Sequence, residues 1–111
     1  MSGQLTTPIS EWLTRTSEKV IETSCAWVFL AGDRALKVKK PVDYGYLDYS
    51  TLEKRLWALE RELRFNRSAA PDIYKRVVRI GAGGAGFELD SPGEPVEFAL
   101  EMRRFDEDAL N

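Results

Sequence analysis

The chain has no histidine and one cysteine, Cys25, so most of its candidate chemistry rests on lysines and carboxylates. Ser/His and Cys/His nucleophile pairs, His-based zinc sites and imidazole acid–base catalysis are removed at once. Lys37 lies in an otherwise apolar strand pattern, between Leu36 and Val38, and a later helical stretch carries Glu60 and Glu62. A strand lysine held by a helix carboxylate can present its ammonium to the α- and β-phosphates of a nucleotide. The same residues also fit a plainer arrangement. Lys37 and Lys39 would then snorkel from a half-exposed sheet face, with both glutamates on a solvated helix surface. Spacing alone favours the plainer arrangement.

A second string invites a phosphate reading. Gly81-Ala82-Gly83-Gly84-Ala85-Gly86 matches G-x-G-x-x-G. That motif works only when a helix follows and aims its amides at a pyrophosphate. Here Phe87 to Pro95 follows, with Pro92, Gly93 and Pro95, and cannot be a helix. A kinase-type glycine loop is excluded by order, since it precedes the strand lysine. The string reads as a flexible hairpin connection.

The elements that must position Lys37 and the glutamates can be read from periodicity. Thr7-Pro8 starts a short helix, with Thr7 as N-cap and Ile9, Trp12 and Leu13 at helical spacing. Val20-Ile21, Ala26–Leu30 and Ala35–Lys39 read as strands, with a tight hairpin at Gly32-Asp33. Ser50-Thr51-Leu52-Glu53 reads as a capping box with Ser50 at the N-cap. Leu52, Leu56, Leu59 and Leu63 then form one stripe on a helix running from about Thr51 to Arg67. Ala70-Pro71 stops it. Tyr74–Ile80 and Val96–Met102 read as two more strands. The expected fold is a single α+β domain over residues 1–111, a small antiparallel sheet of about five strands with the leucine stripe packed on one face.

Composition narrows the function classes. Sixteen Lys and Arg against 18 Asp and Glu give a net charge of −2 over 111 residues. A nucleic-acid binder normally carries a concentrated positive excess. The densest basic patch, Lys37, Lys39 and Lys40, runs directly into Pro41 and Asp43, and Lys40 points to the opposite strand face. No nucleic-acid partner is expected. The longest apolar run, Cys25–Ala31, spans seven residues, against about 20 for a membrane helix, so no membrane partner is expected either. A lone cysteine and an N-terminus without signal-peptide character fit a soluble cytoplasmic domain.

Several blocks resemble a known family. They are Trp27–Asp43, Tyr49–Arg55, Glu60–Arg67, Ala70–Tyr74 and Met102–Phe105. In this order they resemble the N-terminal part of bacterial aminoglycoside phosphotransferase-like proteins, over roughly Ile21 to Leu110. The resemblance implies a kinase-like N-terminal lobe that binds ATP, taken up as Mg-ATP in a complete homologue. Lys37 matches the phosphate-contacting strand lysine and Glu62 its helix partner, with Glu60 the alternative. Thr23 and Ser24 occupy the place of the nucleotide-covering loop, without its glycines. Met102, Arg103 and Phe105 fall at the hinge, where backbone groups of Arg103 and Phe105 would meet an adenine edge. Ordinary core packing is the other reading of Met102 and Phe105. The sequence ends at Asn111, before the family's catalytic and metal-binding aspartates, so the chain alone is expected to lack kinase activity. The alternative is a non-catalytic module that self-associates through the exposed lobe interface.

Overall fold

The computed structural model of the chain describes residues 6–84 and 86–104. Helix α1 (Pro8–Thr16) begins at Thr7, whose hydroxyl accepts the Ser10 N–H at 3.1 Å. Ser10 returns the bond, its hydroxyl accepting the Thr7 N–H at 2.8 Å. Pro8 has no N–H, so two of the three orphan amides of the helix start are dealt with reciprocally.

Strands β1 (Lys19–Glu22), β2 (Ala26–Ala31) and β3 (Arg34–Lys39) form an antiparallel meander. Gly32 turns the second hairpin at φ 60°, a conformation that glycine reaches without a Cβ penalty. Helix α2 (Leu52–Arg67) follows, then β4 (Tyr74–Gly83), β5 (Gly86–Leu89) and β6 (Pro95–Arg103). The spatial order is β1-β2-β3-β6-β4-β5, with every neighbour antiparallel. The architecture is α+β.

Three expectations are corrected. Among the described residues the sheet has six strands, because the glycine-rich segment is not a loose connection. Its first three residues finish β4, and Gly86 opens β5 in register, with Ala82 opposite Phe87. Glycine weakens the local strand signal, so the pairing is fixed instead by what Phe87 and Leu89 pack against. Phe87 meets Trp12 of α1 edge-on, with ring centroids 5.7 Å apart. Close approach also needs glycine here, since a β-carbon on Gly81 would collide with the Ser91 side chain.

The N-cap of α2 is Thr51, not Ser50. Thr51 accepts the Lys54 N–H at 3.2 Å, while the Ser50 amide and hydroxyl both donate to Asp48. An Asx-type turn thus claims Ser50 and moves the helix start by one residue.

The third correction concerns the leucine stripe, only part of which packs on its sheet face, while α1 covers the other face. Alternate residues of β2 and β3 divide between two cores. Trp27, Phe29, Leu36 and Val38 join Ile9 and Leu13 of α1, whereas Leu30 and Ala35 join Leu59, Leu100 and Met102 on the α2 side. Of the leucine stripe only Leu59 and Leu63 enter that second core. Leu52 and Leu56 are half-buried, and Arg55 goes in beside them. Its Nε lies 3.1 Å from both oxygens of Glu97 on β6, and its Nη1 donates to the Tyr49 carbonyl at 2.9 Å. These bonds fasten the first half of α2 to the sheet and to the preceding loop.

Leu59 is completely buried, so Leu59→Ala should destabilise the domain by about 2–5 kcal/mol. Leu52→Ala, at a half-buried site, should lose less than half as much. Urea unfolding of the two variants beside the parent checks the difference.

Candidate anion-binding site

Strand pairing puts Lys37 in an unusual row. Ile21 of β1, Val28 of β2, Lys37 of β3, Leu100 of β6 and Val77 of β4 stand opposite one another across five strands. All but Lys37 are apolar, and the four apolar members belong to or pack on the α2-side core. An ammonium in such a row needs a counter-charge within reach. Glu62, on the face of α2 that overlooks β3, supplies it.

The Lys37 Nζ donates to Glu62 Oε2 at 2.8 Å. The other carboxylate oxygen is also taken, because Lys39 Nζ donates to Oε1 at 3.1 Å. Lys37 and Lys39 alternate with Val38 along β3, so their side chains leave the strand on the same side. Lys40 leaves on the other side, pairs with Glu22 at 2.5 Å and lies over the Trp27 ring. The Lys39 ammonium also sits 5.2 Å from the Tyr49 ring centroid. One carboxylate therefore serves two lysines, and the cluster carries a net charge of about +1.

Exposure separates the two lysines. The Lys39 side chain is 8% exposed and that of Lys37 is 25% exposed. Lys37 is the member that a solvent-borne anion can reach. Burial opposes ionisation of Glu62, but hydrogen bonding and charge from Lys37, then from Lys39, outweigh it and hold the carboxyl below its ordinary 4.5. Tyr49 is pushed the other way, its hydroxyl raised by burial and by the neighbouring Cys25 and Glu62 charges.

The remaining sequence-predicted residues lie at varied distances from this cluster. Glu60 is exposed, about 200° around α2 from Glu62, and so faces away from the lysines. Thr23 and Ser24 form the exposed β1–β2 turn. The Thr23 hydroxyl accepts the Ala26 N–H at 3.1 Å, and the Ser24 carbonyl accepts the Tyr44 hydroxyl at 2.8 Å. Among the described residues the amides of Ser24 and Cys25 have no backbone partner. Met102 is buried in the α2-side core, so its side chain is packing rather than pocket wall. The Arg103 N–H donates to the Ile73 carbonyl at 2.8 Å, which leaves its carbonyl as the backbone group for an adenine edge. Phe105 lies outside the described residues.

Lys39 and Tyr49 escaped the sequence reading as site residues. The signal was present in the i, i+2 placement of two lysines on one strand face, opposite a single candidate carboxylate. A groove of about 990 Å³ opens beside the cluster, between α2 and the segment before it. Lys39, Tyr49 and Glu62 line it together with exposed Tyr46, Trp57 and Phe65. The Arg61 guanidinium lies over both the Trp57 and Phe65 rings, at 5.1 and 5.2 Å.

The fold and this cluster define an α+β domain with a lysine-rich, net-positive cluster on one sheet face. No family model matches the chain, and no solved structure matches it. It is similar to uncharacterized proteins of Mycobacterium bovis (Mb2027c) and Mycobacterium tuberculosis (Rv2004c), at 37% identity over 86 residues. The match covers 78% of this chain and 16% of each relative, so the chain spans about one sixth of their length.

A depressed carboxyl contributes stability above its unfolded value that is lost as pH falls through its folded value. Glu62→Gln should therefore be destabilised relative to the parent at pH 7, and the gap should close below about pH 4.5. Thermal unfolding of both proteins between pH 7 and pH 3 measures it.

Proposed function

We propose that this domain is the nucleotide-holding lobe of an aminoglycoside phosphotransferase-like small-molecule kinase, working in the cytoplasm. The observation that carries the reading is the pairing of a strand lysine with a helix glutamate, Lys37 with Glu62, across an otherwise apolar sheet row. An ammonium held in that way can donate to α- and β-phosphate oxygens without first losing its rotamer freedom. Half-buried Ile21 and Val28 supply an apolar surface next to it for a base or sugar. Among the described residues the Ser24 and Cys25 amides have no backbone partner, which leaves them for an anion where a glycine loop is lacking.

The division of labour follows from phosphoryl-transfer chemistry. Positioning and charge stabilisation come from both sides of a nucleotide cleft, and the resemblance assigns base and metal ligands to a C-terminal lobe. This lobe would supply the lysine, its orienting carboxylate and one wall. Alone it should bind ATP in the millimolar range, because tight sites enclose most of their ligand.

One further observation favours a second reading, an interaction module built on the same scaffold. Trp57 and Phe65 are 60% and 62% exposed on the outer side of α2, with Arg61 between them. Aromatic and arginine clusters of this kind are typical of interface centres. Light scattering of the purified chain separates the readings, since a monomer that binds ATP supports the first and a nucleotide-blind dimer the second.

ATP titration of the isotopically labelled chain by NMR tests the primary reading. Shifts should concentrate on β3, the β1–β2 turn and α2 around Glu62, and Lys37→Met should weaken binding about tenfold. In a polypeptide that also carries a catalytic lobe, Lys37→Ala should lower turnover by about two to three orders of magnitude. Undiminished ATP shifts in Lys37→Met refute the assignment.

A further inference from the structure

A lysine paired one-to-one with a glutamate is oriented for a phosphate but adds no net charge to attract it. The cluster on β3 avoids that outcome. Glu62 divides its two oxygens between Lys37 and Lys39, so each ammonium receives half of the carboxylate's hydrogen-bonding capacity. Lys39 is the less exposed of the two, and it is confined between Glu62 and the Tyr49 ring. It lines the groove beside α2, which Lys37 does not. Lys39 therefore approaches Glu62 from behind, while Lys37 approaches from the sheet row.

We propose that Lys39 is a positioning residue for a nucleotide-phosphate site at Lys37: it holds Glu62 from the groove side and keeps the cluster net positive. The inference rests on the nucleotide reading of Lys37 and goes beyond a lysine–glutamate pair by making the unit a trio. Without Lys39, Glu62 loses its groove-side partner and the cluster falls from a net charge of about +1 to neutral. The effect is transmitted through Glu62 and through the charge of the cluster, with no contact between Lys39 and the ligand.

Three variants of the full chain, Lys39→Met, Lys39→Arg and Lys37→Met, test it with two NMR readouts. One is ATP affinity from amide shifts at millimolar ATP, and the other is the titration of the Glu62 side-chain carboxyl carbon. Thermal unfolding of each variant establishes that it is folded before comparison. Lys39→Met should weaken ATP binding about fivefold and move the Glu62 titration upward towards 4.5. Lys39→Arg should restore both. In a Glu62→Gln background only the through-space charge of Lys39 is left to lose, so Lys39→Met should weaken binding by clearly less than in the parent.

The outcomes are separable. If Lys37→Met loses ATP but Lys39→Met does not, the positioning role is overturned and the nucleotide reading stands. A full Lys39→Met loss that persists in the Glu62→Gln background also overturns it, because Lys39 then meets the phosphate directly. An unmoved Glu62 titration in Lys39→Met overturns it on geometry alone. If Lys37→Met binds ATP as the parent does, the nucleotide reading itself falls.

Discussion

A single carboxylate, that of Glu62, reconciles two lysines with an apolar sheet face. Lys37 occupies the middle of a five-strand row whose other members are Ile21, Val28, Leu100 and Val77. Placing an ammonium there without a partner would leave a poorly solvated charge against the α2-side core. The requirement reaches outward from that point. Helix α2 must present Glu62 to β3, so its rotation about its own axis is fixed. That rotation buries Leu59, half-buries Leu63 and turns Trp57, Arg61 and Phe65 outward. Arg55 fixes the same helix nearer its start, through Glu97 and the Tyr49 carbonyl.

The two anchors of α2 differ in kind. At Glu97 burial is the leading influence and raises the carboxyl above its ordinary value, despite the Arg55 charge beside it. At Glu62 two ammoniums prevail over burial and the carboxyl is lowered. By linkage, the first contributes most below the ordinary glutamate range and loses that contribution as pH rises. The second contributes above that range and loses its share as pH falls. One end of the helix is a structural fastening in a dry setting. The other is a partly solvent-facing, positively charged surface, and anion chemistry belongs there.

Much of the frame was legible from the sequence because apolar periodicity and turn chemistry agreed locally. α1, the first three strands and the extent of α2 follow from Thr7-Pro8, Gly32-Asp33 and the leucine spacing. The misreadings share a cause, competition that local patterns do not register. Asp48 captured Ser50 and moved the cap of α2 to Thr51. Packing of Phe87 on Trp12 kept a glycine-rich segment in register as a strand. Glu62 was preferred to Glu60 by resemblance, and helix geometry gives the physical reason, since only one of two residues two apart can face β3. Lys39 was visible as a same-face neighbour of Lys37. Its link to Glu62 was not, because a contact between β3 and α2 depends on how the helix lies across the sheet.

The two borders of the sheet are β1 and β5, each four residues long. Both carry charge, with Lys19 and Glu22 on one and Glu88 on the other. Among the described residues, a foreign strand seeking to extend the sheet meets only a short strand flanked by charged side chains. The domain therefore offers poor templates for edge-to-edge polymerisation, even though its interior strands are rich in the branched and aromatic residues that aggregate when bared.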